Sequence, residues 1–333
     1  MNKIAIVGLG YWGPNLVRNC LKNVGKENIV LCDKDAKKLE DISSKYDISH
    51  CETEYDNILG NKEINAVIIC TPAKTHFDLA KKAILSGKHV LVEKPMTTTS
   101  RDAEDLLQLA KDRNVVLMVD STYLYNPAVL KLKELINSPD FGKIETIDSS
   151  RVNLGIFRRD VNVLWDLAYH DISILDFLLD YNPLSIRVIG KDYTGTGQID
   201  TAYICLEYKN DIVANVHVSW KTPIKIRQII FDGSERSIVW DDTKTDERIK
   251  TYNKSVYFAN GDIACRVGDV NHFKASGKEA LQSLVEDFIN NIENDKVDFT
   301  NASRGLRIIR ILELINMSMY NNGNVVKQED LDG

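Results

Sequence analysis

The chain has 333 residues, more than one domain usually holds, so two domains are expected. Apolar residues make up 44% and charged residues 27%, enough for well-formed cores and near the globular average. The net charge of −6 excludes broad binding to a nucleic-acid backbone, and no apolar run nears the roughly 20 residues of a membrane span.

The amino terminus, MNKIAIVGLG, enters a strand directly and carries no signal-peptide pattern. Six cysteines (Cys20, Cys32, Cys51, Cys70, Cys205, Cys265) lie scattered, several within apolar runs, with no CxxC pair and no metal-ligand spacing. That usage suits a reducing compartment, so a cytoplasmic protein without a bound metal is expected.

Nearly continuous apolar runs recur at 4–7, 29–32, 66–70, 89–92 and 115–119. Runs of this kind are expected of parallel strands covered on both faces. The segments between them, such as 75–86 and 100–113, carry apolar residues at helical spacing. The alternation predicts a doubly wound α/β sheet over residues 1–121, with ligands bound at the carboxyl ends of its strands.

The first strand runs into Gly8-x-Gly10-x-x-Gly13 and then a helix. Gly8 permits the tight turn, Gly10 lets backbone approach a pyrophosphate, and Gly13 allows close helix–strand packing. The helix that follows offers free N–H groups and the positive end of its dipole, and Pro14 fits its first turn. The second strand, NIVLCD, ends at Asp33, twenty residues beyond Gly13, where a carboxylate can accept from ribose hydroxyls and would repel a 2′-phosphate. NAD is therefore expected over NADP, although Lys34 next to it softens the preference.

Beyond residue 121 the pattern changes. In 201–221 the residues Ile212, Ala214, Val216, Val218 and Trp220 alternate with Val213, Asn215, His217, Ser219 and Lys221. Further strands are expected at 184–190, 226–232 and 236–241, giving a largely antiparallel sheet. Ile308, Ile311, Leu312 and Ile315 then mark a helix near the carboxyl terminus. A second α/β domain over 122–333 follows, with its last helix expected to return to the first domain.

Three further segments fall at strand ends or helix faces: Thr71-Pro72 with His76, Glu93-Lys94-Pro95, and Asp166-x-x-x-His170 in VLWDLAYHDISIL. Together with Gly8-Leu9-Gly10-Tyr11-Trp12-Gly13, they resemble the glucose–fructose oxidoreductase/inositol dehydrogenase (Gfo/Idh/MocA) family over essentially the whole chain. The stretch 122–136, TYLYNPAVLKLKELI, resembles the family's first segment beyond the nucleotide domain. The resemblance implies a Rossmann domain, a second α/β domain with an open sheet, and NAD-dependent chemistry at a hydroxyl-bearing carbon of a sugar or cyclitol. It implies Lys94, Asp166 and His170 as the reacting group. Thr71, Pro72, His76 and Glu93 would border the nicotinamide ribose, and Tyr11 and Trp12 the pyrophosphate and nicotinamide. Tyr125 and Asn126 would bear on substrate. It also implies a cis Lys94–Pro95 bond and a homodimer or homotetramer formed through the second sheet. One departure is local: DLAYH lacks the glycine that many members carry between this Asp and His.

An imidazole titrates near neutral pH, so His170 is the first choice for the base that takes the hydroxyl proton. Lys94 could share that proton or steady the oxygen, and Asp166 could orient His170 or hold a neighbouring hydroxyl. Arg151, Arg158 and Arg159 lie just upstream, and guanidinium forks suit phosphates and carboxylates. WDLAxHD resembles a branch acting on nucleotide sugars, such as UDP-N-acetylglucosamine uronate 3-dehydrogenases. The alternatives are an inositol or free-sugar dehydrogenase, a redox-assisted elimination on the same scaffold, and an NAD-binding sensor without turnover.

Overall fold

The computed structural model describes residues 3–155, 157–159, 161–245 and 248–331. In chain order the first elements are β1 (Lys3–Val7), α1 (Gly13–Val24), β2 (Ile29–Cys32), α2 (Ala36–Tyr46), β3 (Cys51–Glu52), α3 (Tyr55–Gly60), β4 (Ile64–Ile69), α4 (His76–Leu85), β5 (His89–Glu93), α5 (Ser100–Arg113) and β6 (Leu117–Asp120). They are followed by α6 (Pro127–Ile136), β7 (Ile144–Leu154), a π-type turn (Leu164–Ala168) and α7 (Tyr169–Leu179). The chain closes with β8 (Ser185–Lys191), β9 (Thr201–Glu207), β10 (Val213–Ser219), β11 (Lys221–Gly233), β12 (Arg236–Asp241), β13 (Ile249–Ala259), β14 (Asp262–Phe273), α8 (Ala280–Glu293) and α9 (Thr300–Tyr320).

Two compact units emerge: Met1–Tyr125 with Lys278–Ile309, and Asn126–Gly277 with Arg310–Gly333. The first unit is built on a six-stranded parallel sheet in the order β3-β2-β1-β4-β5-β6, the doubly wound order with its switch point between β1 and β4. The expected strands form with shifted ends. The fifth run starts at Leu117 and ends on Asp120, and the short edge strand β3 was not anticipated. Both faces of the sheet are buried: Ile4, Ile6, Leu31, Ile68 and Met118 on one, Ala5, Val7, Val67, Val90 and Val119 on the other. Helix α8 returns to this unit because Leu281, Leu284, Val285, Phe288 and Ile289 form one apolar stripe, which joins the core around Ile4, Leu16 and Met118. Local signals set the helix starts: Asp35 accepts from the Lys37 amide (3.1 Å), and Thr99 accepts from the Asp102 amide (3.1 Å). Caps of this kind are each worth ~1 kcal/mol.

The second unit is built on an eight-stranded sheet in the order β14-β13-β12-β11-β7-β10-β9-β8. Every neighbouring pair is antiparallel except β7 with β10. The alternation in β10 is realised, with Ile212, Ala214, Val216, Val218 and Trp220 all buried. Strand β7 and the β13–β14 hairpin went unseen in the sequence, since polar residues interrupt the apolar alternation there. Helix α7 is buried around most of its circumference, the mark of a helix lying within a core. Helix α9 forms over the expected periodic stretch, with Ile308, Ile311, Leu312 and Ile315 buried.

Candidate active site

The glycine loop takes its shape from steric necessity. Gly8 has φ +95°, and a Cβ there would lie 2.5 Å from the Cys70 carbonyl oxygen at the end of β4. A Cβ on Gly13 would lie 2.4 Å from the Gly8 carbonyl oxygen. Gly10 differs: nothing lies within 4 Å of its Cβ position, so the loop is open there. Helix α1 begins beside this opening with no side-chain cap and no acid in its first turn. Its first N–H groups and dipole are therefore available to an anion. These features fit a pyrophosphate.

Asp33 stands at the tip of β2. One carboxylate oxygen accepts from the Leu9 amide (2.7 Å) and the other from the Asp35 amide (2.9 Å). The side chain is thus aimed across the glycine loop, and each oxygen keeps a lone pair for a ribose hydroxyl. Tyr11 is 87% exposed, while the Trp12 indole N–H donates to Asp120 (3.0 Å).

Across the switch point, the tips of β4 and β5 are joined by His76. Its Nδ1 lies 2.8 Å from the Pro95 carbonyl oxygen and its Nε2 lies 2.8 Å from that of Thr71. A neutral imidazole can donate to only one of these. The ring is 1% exposed, and burial holds its pKa below the usual histidine value. Both nitrogens are committed to backbone, so His76 positions the two turns and has no ring nitrogen left to hydrogen-bond a ribose. Thr71 shares its hydroxyl with Thr75 (2.7 Å), which stiffens the Thr71-Pro72 turn. The Lys94–Pro95 bond is cis, and Glu93 pairs in register with Asp120 of β6. Lys94 is half-buried at this tip.

In the second unit Asp166 lies within the π-type turn and His170 in the first turn of α7. Asp166 is fixed from two sides: the indole N–H of buried Trp220 donates to one oxygen (3.0 Å), and Arg158 lies 3.5 Å from the other. His170 is half-buried beside the Tyr169 ring, whose centroid is 6.0 Å away. Arg159 is exposed. Arg151 departs from expectation. It is 3% exposed and forks onto Asp171, with Nε at 2.7 Å and Nη2 at 3.2 Å, and the Ser149 hydroxyl donates to the same carboxylate (2.8 Å). As a strand residue on the sheet's inner face, it serves a core ion pair and does not reach outward to a phosphate. Tyr125 and Asn126 likewise have structural work: the Tyr125 hydroxyl donates to Asp287 (2.6 Å), and Asn126 caps α6 through the Ala128 amide (2.9 Å).

Two residues at these sites escaped the sequence reading. Asp120 could have been found, because VVLMVD ends in an acid as NIVLCD does. Trp220 falls on the apolar side of the alternation, but its hydrogen bond to Asp166 has no linear signal. Among the described residues, no group of three His, Cys, Asp or Glu side chains could hold a metal, and no helix is long and apolar enough to cross a membrane.

Comparison with known proteins covers both halves of the chain. The oxidoreductase family with an NAD-binding Rossmann fold, Gfo/Idh/MocA, matches residues 2–121, and the Gfo/Idh/MocA C-terminal domain matches residues 129–239. A UDP-N-acetylglucosamine 3-dehydrogenase of Acidithiobacillus ferrooxidans is 27% identical over 252 residues, covering 74% of this chain and 76% of its own. A solved structure of a UDP-N-acetylglucosamine 3-dehydrogenase from that organism superposes with a TM-score of 0.82 at 21% identity, over 96% of this chain and 98% of its own. An inositol 2-dehydrogenase of Rhizobium meliloti is 23% identical, covering 93% of this chain and 94% of its own. An oxidoreductase from Agrobacterium radiobacter, solved with NAD+, L-tartaric acid and magnesium, has a TM-score of 0.84 at 18% identity, with 99% of each chain covered.

Proposed function

The chain belongs to the Gfo/Idh/MocA family of NAD-binding oxidoreductases acting on CH–OH groups, and on that premise we propose that its substrate is a nucleotide sugar. The group meant is a UDP-N-acetyl-hexosamine uronate or close analogue, oxidised or reduced at its 3-position. The carrying observation is the arginine pair Arg158–Arg159, the first half-buried and set 3.5 Å from Asp166, the second exposed. Arginine beside a hydroxyl-binding carboxylate suits a substrate that presents both hydroxyls and a diphosphate or carboxylate. The Acidithiobacillus relative, named for a UDP-sugar, supports the same reading.

Bound NAD supplies the hydride acceptor or donor, and the protein orients the carbon and manages the proton. The glycine loop and the amino end of α1 hold the pyrophosphate, and Asp33 holds the adenosine ribose. The turns at Thr71-Pro72 and Glu93-Lys94-Pro95, joined by His76, form the border of the nicotinamide half. In the proposed oxidation His170 takes the hydroxyl proton while Lys94 steadies the oxygen as its charge develops. Asp166, held by Trp220, orients a neighbouring hydroxyl.

A compact cyclitol or free sugar is the second reading, favoured by the relative from Rhizobium meliloti, which matches along nearly the whole chain. We further propose self-association as a homodimer or homotetramer through the second sheet, supported by exposed Val256, Ile263 and Val267 on its β13–β14 hairpin. A cytoplasmic location is supported by six unpaired cysteines.

The test is a screen of nucleotide sugars, free sugars and inositols against NAD+ and NADH, followed by nicotinamide absorbance, with Lys94→Ala and His170→Ala alongside. Turnover of UDP-sugars but not inositols, lost in both variants, is expected. No turnover of any polyol or keto-sugar, or full activity in Lys94→Ala, would falsify the assignment.

A further inference from the structure

Asp120 is a buried carboxylate that the proposed chemistry leaves unused. It ends β6 at 2% exposure. One oxygen accepts from the Trp12 indole N–H (3.0 Å) and the other from the Thr122 hydroxyl. Its register partner is Glu93, and the Lys94 ammonium acts on it electrostatically. The other titratable groups that feel its charge are the Cys70 thiol at the end of β4 and the Tyr125 phenol. Burial pushes the Asp120 carboxyl up, while the Thr122 and Trp12 bonds and Lys94 pull it back toward the ionised form. Glu93 and Lys94 are of opposite sign, so with Asp120 ionised this strand tip carries one net negative charge.

A dinucleotide lies across the carboxyl ends of a doubly wound sheet, one nucleoside on each side of the switch point. Asp33 marks the adenosine side at β2, which leaves the tips of β4, β5 and β6 to the nicotinamide side. The oxidised ring is a cation and the reduced ring is neutral. We infer that Asp120 is a positioning residue that biases the site toward the oxidised cofactor, through a buried carboxylate anchored to Trp12 of the glycine loop and set beside Glu93 and Lys94. The inference rests on the NAD reading above and adds a preference to it: a site that binds the oxidised form more tightly fills with NAD+ before substrate arrives and, by linkage, makes the bound ring a weaker hydride acceptor than free NAD+.

The size follows from Coulomb's law. One buried charge acting on a cationic ring, at an effective dielectric near 20, changes the ratio of affinities on the order of tenfold or more. The experiment measures dissociation constants of the full chain for NAD+ by calorimetry and for NADH by fluorescence, in wild type, Asp120→Asn and Trp12→Phe. Asp120→Asn is expected to weaken NAD+ about tenfold while leaving NADH within about twofold. Trp12→Phe removes one of the bonds that favour the ionised carboxylate, so it should shift the ratio in the same direction as Asp120→Asn and by less. An unchanged ratio in Asp120→Asn, or an equal loss of both forms, overturns the inference and leaves the cofactor reading standing. If Asp120→Asn does not fold, a Trp12→Phe ratio that is unchanged or moves in favour of NAD+ overturns the inference. Failure of wild type to bind either form overturns both.

Discussion

Replacing Arg151 by Ala tests whether this residue serves the core or the substrate. Arg151 and Asp171 are 3% and 1% exposed, and the guanidinium meets the carboxylate through two bonds, at 2.7 and 3.2 Å. Removing the cation leaves a buried carboxylate with the Ser149 hydroxyl and no charge to offset its desolvation. Losing one partner of a buried pair costs about 3–5 kcal/mol, which in a unit of this size lowers the melting temperature by about 6–20 °C. The assay is urea and thermal unfolding of Arg151→Ala, of Asp171→Leu, and of the double variant Arg151→Met/Asp171→Leu. The double variant should regain most of the loss, because neither charge then needs compensation, and the Michaelis constant of folded Arg151 variants should stay near wild type. A stability change below about 1 kcal/mol, together with a raised Michaelis constant, would refute the core role and return Arg151 to the substrate.

Gly10→Ala and Gly13→Ala separate two functions of the glycine loop. Gly10→Ala enters open space and should leave stability within about 0.5 kcal/mol while cutting NAD+ affinity, because the methyl group stands where the pyrophosphate approaches. Gly13→Ala collides with the Gly8 carbonyl at 2.4 Å and should cost about 1–3 kcal/mol as well as binding; equal stability of the two variants would count against this reading. A third prediction concerns acid. Glu279 is held by Arg18 (2.5 Å) and Asn19, which lowers its pKa from 4.5 to about 2. Its contribution is present in full above the unfolded value and fades as pH falls through about 2. The pair is 39% exposed on each side, so screening limits it to about 1 kcal/mol. Glu279→Gln should therefore lower the urea midpoint at pH 7 and match wild type near pH 2, and a gap that persists at pH 2 would contradict the linkage.

The parts of the fold that could be read from the sequence are those where one local rule dominates. Continuous apolar runs gave β1, β2, β4 and β5, because a parallel sheet buried on both faces leaves no polar side to confuse the pattern. Glycine spacing gave the phosphate loop, since steric exclusion at Gly8 and Gly13 admits no other residue without backbone movement. Where rules compete, reading failed. Strand β7 carries Asp148, Ser149, Ser150 and Arg151 in succession, a polar run that argues against a central strand until Asp171 is brought to meet Arg151 and Ser149. His76 shows a subtler failure. Its type and position were right for a strand-tip site, but only the fold shows that both ring nitrogens are committed to the backbone of Thr71 and Pro95.

The DLAYH segment shows why residue spacing alone does not define a reacting pair. Asp166 and His170 are four apart, which on an ordinary helix puts them on one face. Here the turn is π-type over Leu164–Ala168 and becomes α-helical only at Tyr169. The burial pattern accounts for it. Leu164, Ala168 and Tyr169 are all fully buried, while Asp166 must turn its carboxylate to the Trp220 indole N–H and to Arg158. One extra residue in the turn lets the apolar side chains stay in the core and leaves Asp166 aimed at its polar partners, the kind of local adjustment that π-bulges make at functional sites. With Ala168 and Tyr169 fully buried, the helix start is fixed by packing. The orientation of Asp166 then depends on Trp220, a residue 54 positions away in the bend between β10 and β11.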